Sequence, residues 1–401
     1  MNVPKLRFGE FKSSWKFMKL GQLGNTIAGL TYSPKDIRDS GLLVLRSSNV
    51  KDGQIDLGDC VYVDTNVKGA KISQENDILI CVRNGSTSLI GKNALIPAGI
   101  PHCTHGAFMT VFRAEQPKFI HQLFQTTNYK TQVSADLGAR INSINNSQLI
   151  KYQFAVPPTE CEQQKIADFL SAVDDKITAL TAQKTALTQY KQGMMQRIFA
   201  QTLRFKDDNG ADYPEWDSMR LEELGEFKSG VGFSESEQGG QEGIPFFKVS
   251  DMNLSENTFH MNIANHYVTE EQIQKLKLKV IKKDAIIFAK VGAAIFLERK
   301  RIAKNFLIDN NMMAFIPKAN LLFMKYLFET VQLSKFAQVG ALPSYNSSDL
   351  GIIKVGLPNS YEEQTKIAQF LTELDDKINA VGAQIQSAQQ WKQGLLQQMF
   401  V

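Results

Sequence analysis

The sequence predicts an α+β fold: two mixed α/β parts joined by two long antiparallel coiled-coil helices, with a pseudo-two-fold internal repeat. Three observations carry that reading. The segment EQQKIADFLSAVDDKI at 162–177 recurs 201 residues later, at 363–378, as EQTKIAQFLTELDDKI, with eleven of sixteen positions identical. Each copy lies in a Pro-free stretch whose apolar residues step by threes and fours, the rhythm of a helix that needs a partner. Elsewhere, short apolar runs bounded by polar, Gly or Pro residues read as buried strands.

The duplication reaches past that segment, as expected of a repeated unit. Leu6-Arg7-Phe8, Trp15 and KLGQLG (19–24) recur as Leu203-Arg204-Phe205, Trp216 and RLEELG (220–225), and KQGMMQRIF (191–199) recurs as KQGLLQQMF (392–400). Globular parts follow at 1–156 and 202–356, with helical regions at 157–201 and 357–401. Within the globular parts, 77–82, 107–112, 285–289 and 312–316 read as buried strands, and 118–129 and 321–336 as amphipathic helices. Pro157-Pro158 and Pro358 stand just before the long helices, where they stop a strand without interrupting a turn.

The first helical seam runs through Leu170, Val173, Ile177, Leu180, Lys184, Leu187, Lys191, Met194 and Ile198. Its second copy runs through Leu371, Leu374, Ile378, Val381, Ile385, Ala388, Lys392, Leu395 and Met399. A helix of roughly 40 residues rises about 60 Å, too long for one small domain to cover, so the two seams are expected to pair with each other.

With 401 residues, 43% hydrophobic and 21% charged, the chain has the composition of an ordinary globular protein. It has no apolar run of membrane-spanning length and no signal-peptide core near the start, so a cytoplasmic protein with no membrane partner is expected. Cys60, Cys81, Cys103 and Cys161 form no CxxC pair and read as thiols. Lys and Arg outnumber Asp and Glu by 18 to 11 over 1–156, and 275–304 holds ten positive and two negative residues. Such local basic surface suits a polyanion.

No catalytic constellation is complete. Gly85 to Asn93 has one residue too many between its glycines for a phosphate loop, and Asn93 where a Ser or Thr is needed. His102-Cys103-Thr104-His105 lacks a second cluster for a metal. Glu10-Phe11-Lys12 and Glu226-Phe227-Lys228 do not align in the repeat, and the only Pro-Pro is not the loop of an adenine methyltransferase. A solvated helix face accounts for Asp174-Asp175 and Asp375-Asp376.

Surface residues suited to nucleic acid are present in both halves. If extended, the run 275–280 places Lys275, Lys277 and Lys279 on one face, and Lys300 and Arg301 follow. Base edges are read by Arg, Asn, Gln or Ser on protruding loops. The first half offers Arg46, Ser47, Asn49, Arg83, Asn84, Lys92, Arg140, Asn142 and Asn145. The second offers Lys248, Ser250, Asn253, Lys290, Tyr345 and Asn346.

The doubled LRF…W…LG start and the doubled EQxKIAxFL…DDKI segment resemble the specificity subunits of type I restriction-modification systems over essentially the whole length. That resemblance implies two target-recognition domains, each reading half of an asymmetric bipartite site in double-stranded DNA, with the paired helices fixing the gap. It implies no cofactor on this chain; S-adenosylmethionine, ATP and Mg belong on two modification subunits and, where present, two restriction subunits. Glu162, Gln163, Asp174, Asp175 and their second copies are then expected to cap the helices and dock modification subunits. The residues alone leave open a coiled-coil scaffold that binds no DNA, or a self-sufficient DNA methyltransferase or nuclease.

Overall fold

The computed structural model describes residues 3–137, 142–338, 340 and 342–401. It divides into two units, 1–182 with 382–401 and 183–381. Strands Gly24–Ala28, Met109–Ala114, Ile78–Cys81 and Asn93–Leu95 form an antiparallel sheet in the first unit, in that order. Beside it lies a mixed sheet ordered Cys103–His105, Leu42–Leu45, Tyr62–Val63 and Ile37–Arg38, whose first two strands are parallel. ILIC and LLVL are buried at every position, which explains why they are continuously apolar and do not alternate. A third pair, Lys16–Lys19 with Gln153–Val156, joins the start of the globular part to the strand that leads into the long helix.

The second unit repeats this plan. Its antiparallel sheet is Gly225–Ser229, Met312–Pro317, Ala285–Ala289 and Lys300–Ala303. Its mixed sheet is Tyr267–Val268, Ile244–Phe247 and Leu307–Ile308, and its closing pair is Asp217–Arg220 with Lys354–Leu357.

Three segments differ from expectation in continuity. The stretch 321–336 is a helix only over Leu321–Thr330, where an extended Val331 ends it before a separate turn, Leu333–Phe336. The stretch 118–129 is divided between helices Pro117–Leu123 and Thr127–Asp136, because the Thr126 hydroxyl accepts from the Tyr129 amide at 3.3 Å and starts a new helix. The run 275–280 is not a strand. Thr269 caps a helix, Glu270–Lys275, and Lys277 takes a left-handed φ of 52° that ends it. Exposure still alternates, with Lys275, Lys277 and Lys279 outward and Leu276, Leu278 and Val280 half-buried.

The long helices span Glu160–Phe199 and Tyr361–Met399. Leu170, Val173, Leu180, Leu371, Leu374 and Val381 are buried along the seams. Ile177, Leu187, Ile378 and Ile385 are half-buried, whereas Lys184 is exposed. Each unit holds the start of one helix against the end of the other, which is the antiparallel order. In the first unit Lys392 Nζ meets Asp174 Oδ1 at 2.5 Å; in the second Lys191 Nζ meets Asp375 Oδ1 at 2.7 Å. These residues are equivalent at an offset of 201, so the two ion pairs are one contact made twice. The ends of the helices dock in the same reciprocal way. Phe400 packs on Trp15 and Phe119 with centroids 6.2 and 5.8 Å away, and Phe199 packs on Trp216 and Phe323 at 6.4 and 5.6 Å.

A carboxylate anchors the head of each helix. Glu162, 1% exposed, accepts from Arg7 Nε and Nη2 at 2.6 and 2.8 Å and from Trp15 Nε1 at 3.0 Å. Glu363, fully buried, accepts from Arg204 Nη2 at 3.3 Å and Trp216 Nε1 at 3.0 Å. Next to them, Gln163 and Gln364 donate to the carbonyls of Pro157 and Pro358 at 3.0 and 2.9 Å. The expectation that Glu162 faces a docking partner is therefore corrected, since both its carboxylate oxygens are used internally; Gln163 is half-buried, with its amide nitrogen engaged. Asp175 and Asp376 are exposed.

Glu162→Ala leaves a nearly buried guanidinium and an indole N–H without their acceptor, and should cost about 3 kcal/mol of stability. Glu10→Ala, which removes an exposed ion pair with Lys165, should leave stability essentially unchanged. Denaturant unfolding of both variants checks the contrast; equal effects would deny Glu162 its anchoring role.

Candidate nucleic-acid interface

In the first unit, several strands end at one edge. The antiparallel register sets Cys81 opposite Met109 and Ala28 opposite Thr110, and the parallel pair aligns Leu45 with His105. The backbone leaving each strand end is therefore gathered there, namely Gly29–Tyr32, Arg46–Asn49, Val82–Asn84 and Gly106–Phe108. Leu30 N–H donates to the His105 carbonyl at 2.7 Å and ties the two sheets at this edge. His105 is itself buried, its ring nitrogens paired with Ser73 Oγ at 3.0 Å and the Ile27 carbonyl at 2.9 Å. No group of three or more His, Cys, Asp or Glu that could hold a metal occurs among the described residues.

The edge brings Arg46, Ser47, Arg83 and Asn84 together. A cleft of about 500 Å³ is lined by Tyr32, Arg46, Ser47, Asp59 and Phe108. A neighbouring one of about 270 Å³ is lined by Arg83, Ser143, Asn145 and Asn146 and shares Ala107 and Met109 with it. Arg46 Nη2 pairs with Asp59 Oδ2 at 2.7 Å, while its buried Nε has no hydrogen-bond partner. Asn84 Nδ2 donates to Ser47 Oγ at 3.2 Å. Arg83 is exposed, its guanidinium 5.8 Å from the centroid of the Phe108 ring, an arrangement that holds a cation over a π face. Asn142 Nδ2 donates to the Gly85 carbonyl at 3.4 Å, and Asn145 N–H to Gln148 Oε1 at 3.4 Å at the head of a short helical turn. Arg140 lies outside the described residues.

The second unit has the matching edge, with Lys248, Ser250 and Lys290 at the corresponding strand ends. Lys248 N–H donates to Asp251 Oδ2 at 2.8 Å, as Arg46 N–H does to Asn49 Oδ1 at 2.9 Å. Asn346 N–H donates to Asp349 Oδ2 at 2.9 Å and heads a helical turn equivalent to that of Asn145.

Five expectations change. Asn49 is fully buried, and its amide donates to the carbonyls of Asp56 and Asp59, so it shapes the turn and presents nothing outward. Tyr345 is buried, its hydroxyl donating to the Ala289 carbonyl at 2.5 Å. Lys300 is 3% exposed and pairs with Glu298 at 2.5 Å; burial pushes its pKa down. Arg301 is half-buried and donates to the Asn257 carbonyl at 2.8 Å. Lys92 belongs to a different cleft, with Phe124, Tyr129 and Lys130. Sequence reading failed for the basic pair because both faces of its strand are covered: Lys300-Arg301 reads as a charge cluster but sits in strand Lys300–Ala303, with Lys300 turned to the Val331 carbonyl after helix Leu321–Thr330 and Arg301 to the Asn257 carbonyl. Lys275 is tied to Glu237 at 2.6 Å, and Asn253 Oδ1 accepts from Arg299 at 2.5 Å, while Lys277, Lys279, Lys282, Lys283 and Lys304 are exposed cations of the basic run 275–304.

Ala107 and Phe108 were expected in a buried strand, but the strand starts at Met109 and Phe108 is 55% exposed in the loop before it; the loop Asp309–Asn311 was not flagged by the sequence. The available signal was an exposed Phe following Gly-Ala, and Asp-Asn-Asn set between apolar strands.

Arg83→Gln and Lys290→Gln should each weaken binding to duplex DNA across all sequences and lower the slope of log K against log salt by about 1. Lys300→Gln should leave that slope unchanged and lower the melting temperature instead. Salt titrations of the three variants measure this, and an unaltered slope for Arg83→Gln would remove it from the interface.

Comparison with known proteins follows the same duplication. Residues 12–189 and 213–388 match the family model described as type I restriction modification DNA specificity domain. The putative type I restriction enzyme MjaX specificity subunit of Methanocaldococcus jannaschii is 27% identical over 94% of this chain and 90% of its own length. The type I restriction enzyme specificity subunits StySPI of Salmonella potsdam and EcoKI of Escherichia coli are 27% and 28% identical over 53% and 47% of this chain. The chain spans under half the length of those two relatives, 48% and 42%. Among solved structures, the S subunit of a type I restriction-modification system from M. genitalium shares the fold with a TM-score of 0.60 at 16% identity, covering 100% of this chain and 99% of that one.

Proposed function

The chain belongs to the type I restriction-modification DNA specificity family, and we propose that it is a DNA-reading specificity subunit with no catalysis of its own. The observation that supports this best is the pair of matching strand-end edges, each presenting cations and amides on a rigid frame. Cations contact phosphates and fix register, whereas amides and guanidinium groups read base edges. Two such edges with different side chains read two different half-sites, which makes the target bipartite and asymmetric. A scaffold that binds no DNA would have no use for either edge.

The helices are read as the element that sets the gap between half-sites, because each runs from one unit into the other and changing its residue count changes the distance it spans. Modification subunits, one for each half of the duplicated chain, supply methyl transfer from S-adenosylmethionine to adenine. Restriction subunits with ATP and Mg complete the system where they occur, and the assembly works on chromosomal DNA in the cytoplasm. No helix among the described residues is long and apolar enough to cross a membrane.

The test is a genome-wide map of methyladenine in a host carrying a modification subunit with and without this chain. A bipartite motif that appears only with the chain supports the reading; a motif unchanged by its removal would overturn it. Deleting Thr181 to Leu187 together with Gly382 to Ala388 removes one heptad from each helix while leaving all four ion-pair residues in place. Each helix shortens by about 10 Å, so the gap should contract by about three base pairs with both half-sites intact. An unchanged gap would refute the spacing role.

A further inference from the structure

The duplicated frame allows the two edges to be matched residue by residue from their backbone hydrogen bonds. Gly106 N–H donates to the Leu45 carbonyl at 3.0 Å, and Asp309 N–H to the Phe247 carbonyl at 3.0 Å. Met109 N–H donates to the Gly106 carbonyl at 2.8 Å, and Met312 N–H to the Asp309 carbonyl at 3.0 Å. Arg83 N–H donates to the Phe108 carbonyl at 3.1 Å, and Lys290 N–H to the Asn311 carbonyl at 2.8 Å. Gly29 and Gly230 complete the match, since a Cβ on either would collide with the carbonyl oxygen of Gly106 or Asp309. Phe108 and Asn311 therefore occupy the same backbone position in two loops of equal length, held by the same bonds.

What differs is the side chain. Phe108 is 55% exposed, although a large aromatic surface is costly to leave in water. Asn311 is exposed too, and its orientation is constrained. Its Nδ2 donates to Asp309 Oδ2 at 3.1 Å, and its own N–H to Asp309 Oδ1 at 3.1 Å. Asp309 is half-buried, and burial pushes its pKa up against the pull of these bonds. The carboxylate engages one amide hydrogen, which leaves Asn311 Oδ1 and the second amide hydrogen for a ligand.

We infer that Phe108 and Asn311 are equivalent base-reading positions: Phe108 takes the apolar methyl edge of a thymine, and Asn311 the paired donor and acceptor of an adenine. The inference rests on the DNA-reading role proposed above. An adenine presents N6–H and N7 in the major groove, which a carboxamide meets with its oxygen and its N–H, whereas a thymine presents a methyl group that an aromatic edge covers. Asp309 is a positioning residue that holds the amide in this orientation. The rigid frame places the ring and the amide at matching points of the two half-sites, so each is expected to govern one base position.

The experiment is the methyladenine map again, in the same host with a modification subunit, for the parent, Asn311→Ala, Asp309→Ala and Phe108→Asn. Asn311→Ala should relax one adenine position of one half-site by roughly tenfold to a hundredfold, with the other half-site and the gap unchanged. Asp309→Ala should relax the same position, and Phe108→Asn should change one position of the other half-site from thymine. Both Phe108 and Asn311 are exposed, so melting temperatures should stay near that of the parent; a variant that fails to melt like the parent is replaced by Asn311→Ser or Phe108→Leu, judged by the same motif change. Unaltered motifs with intact methylation, or relaxation at bases other than adenine and thymine, would overturn the inference while leaving the DNA-reading role in place. A parent that confers no methylation motif would instead defeat the role itself.

Discussion

The molecule depends on two buried carboxylates. A carboxylate taken out of water must be compensated, or it takes up a proton. Glu162 and Glu363 each accept hydrogen bonds from a guanidinium and an indole N–H of the segment that opens its own unit. That requirement fixes Arg7 and Trp15, and likewise Arg204 and Trp216, against the first turn of a long helix. The same Trp rings form the surface on which Phe400 and Phe199 dock. One charged contact per unit thus sets where a strand pair begins, where a helix starts and where the far end of the other helix arrives.

Above this anchor, chemistry is kept on backbone ends and rigidity on strands. The continuous apolar strands pack on both faces, while cations and amides appear where the chain leaves the sheet. Because the frame is repeated through identical main-chain bonds, the outward side chains are free to differ between units without disturbing the core. This explains why the anchors of the two halves resemble each other in sequence while the segments between them diverge.

Much of this was legible beforehand. The long helices, their seams and their antiparallel order follow from the doubled motif, and Glu160–Phe199 begins just after Pro157-Pro158 and ends with the repeated KQGMMQRIF. The exchange of Asp174 with Lys392 and of Lys191 with Asp375 was latent in the repeat, since both members of each pair recur, but only pairing the helices brings them together. Site residues were harder to read. Lys300, Tyr345 and Asn49 have the right chemistry for an interface and the wrong direction, because strand packing and turn geometry point them inward. The loops 106–108 and 309–311 were missed because Phe and Asn at a strand end carry no charge signal; their significance lies in the equivalence of their backbones.

The docking of Phe400 has a consequence for synthesis. Residues 183–381 are contiguous, so the second unit has all its parts once that stretch has left the ribosome. The core of the first unit includes Leu395, Leu396, Met399 and Phe400. It therefore cannot close until the last of these has been made, although its strands are translated first. Birth order and folding order are reversed: the earlier half must wait, with Trp15 and Phe119 uncovered, for Phe400, which is encoded 385 codons after the first and 281 after the second.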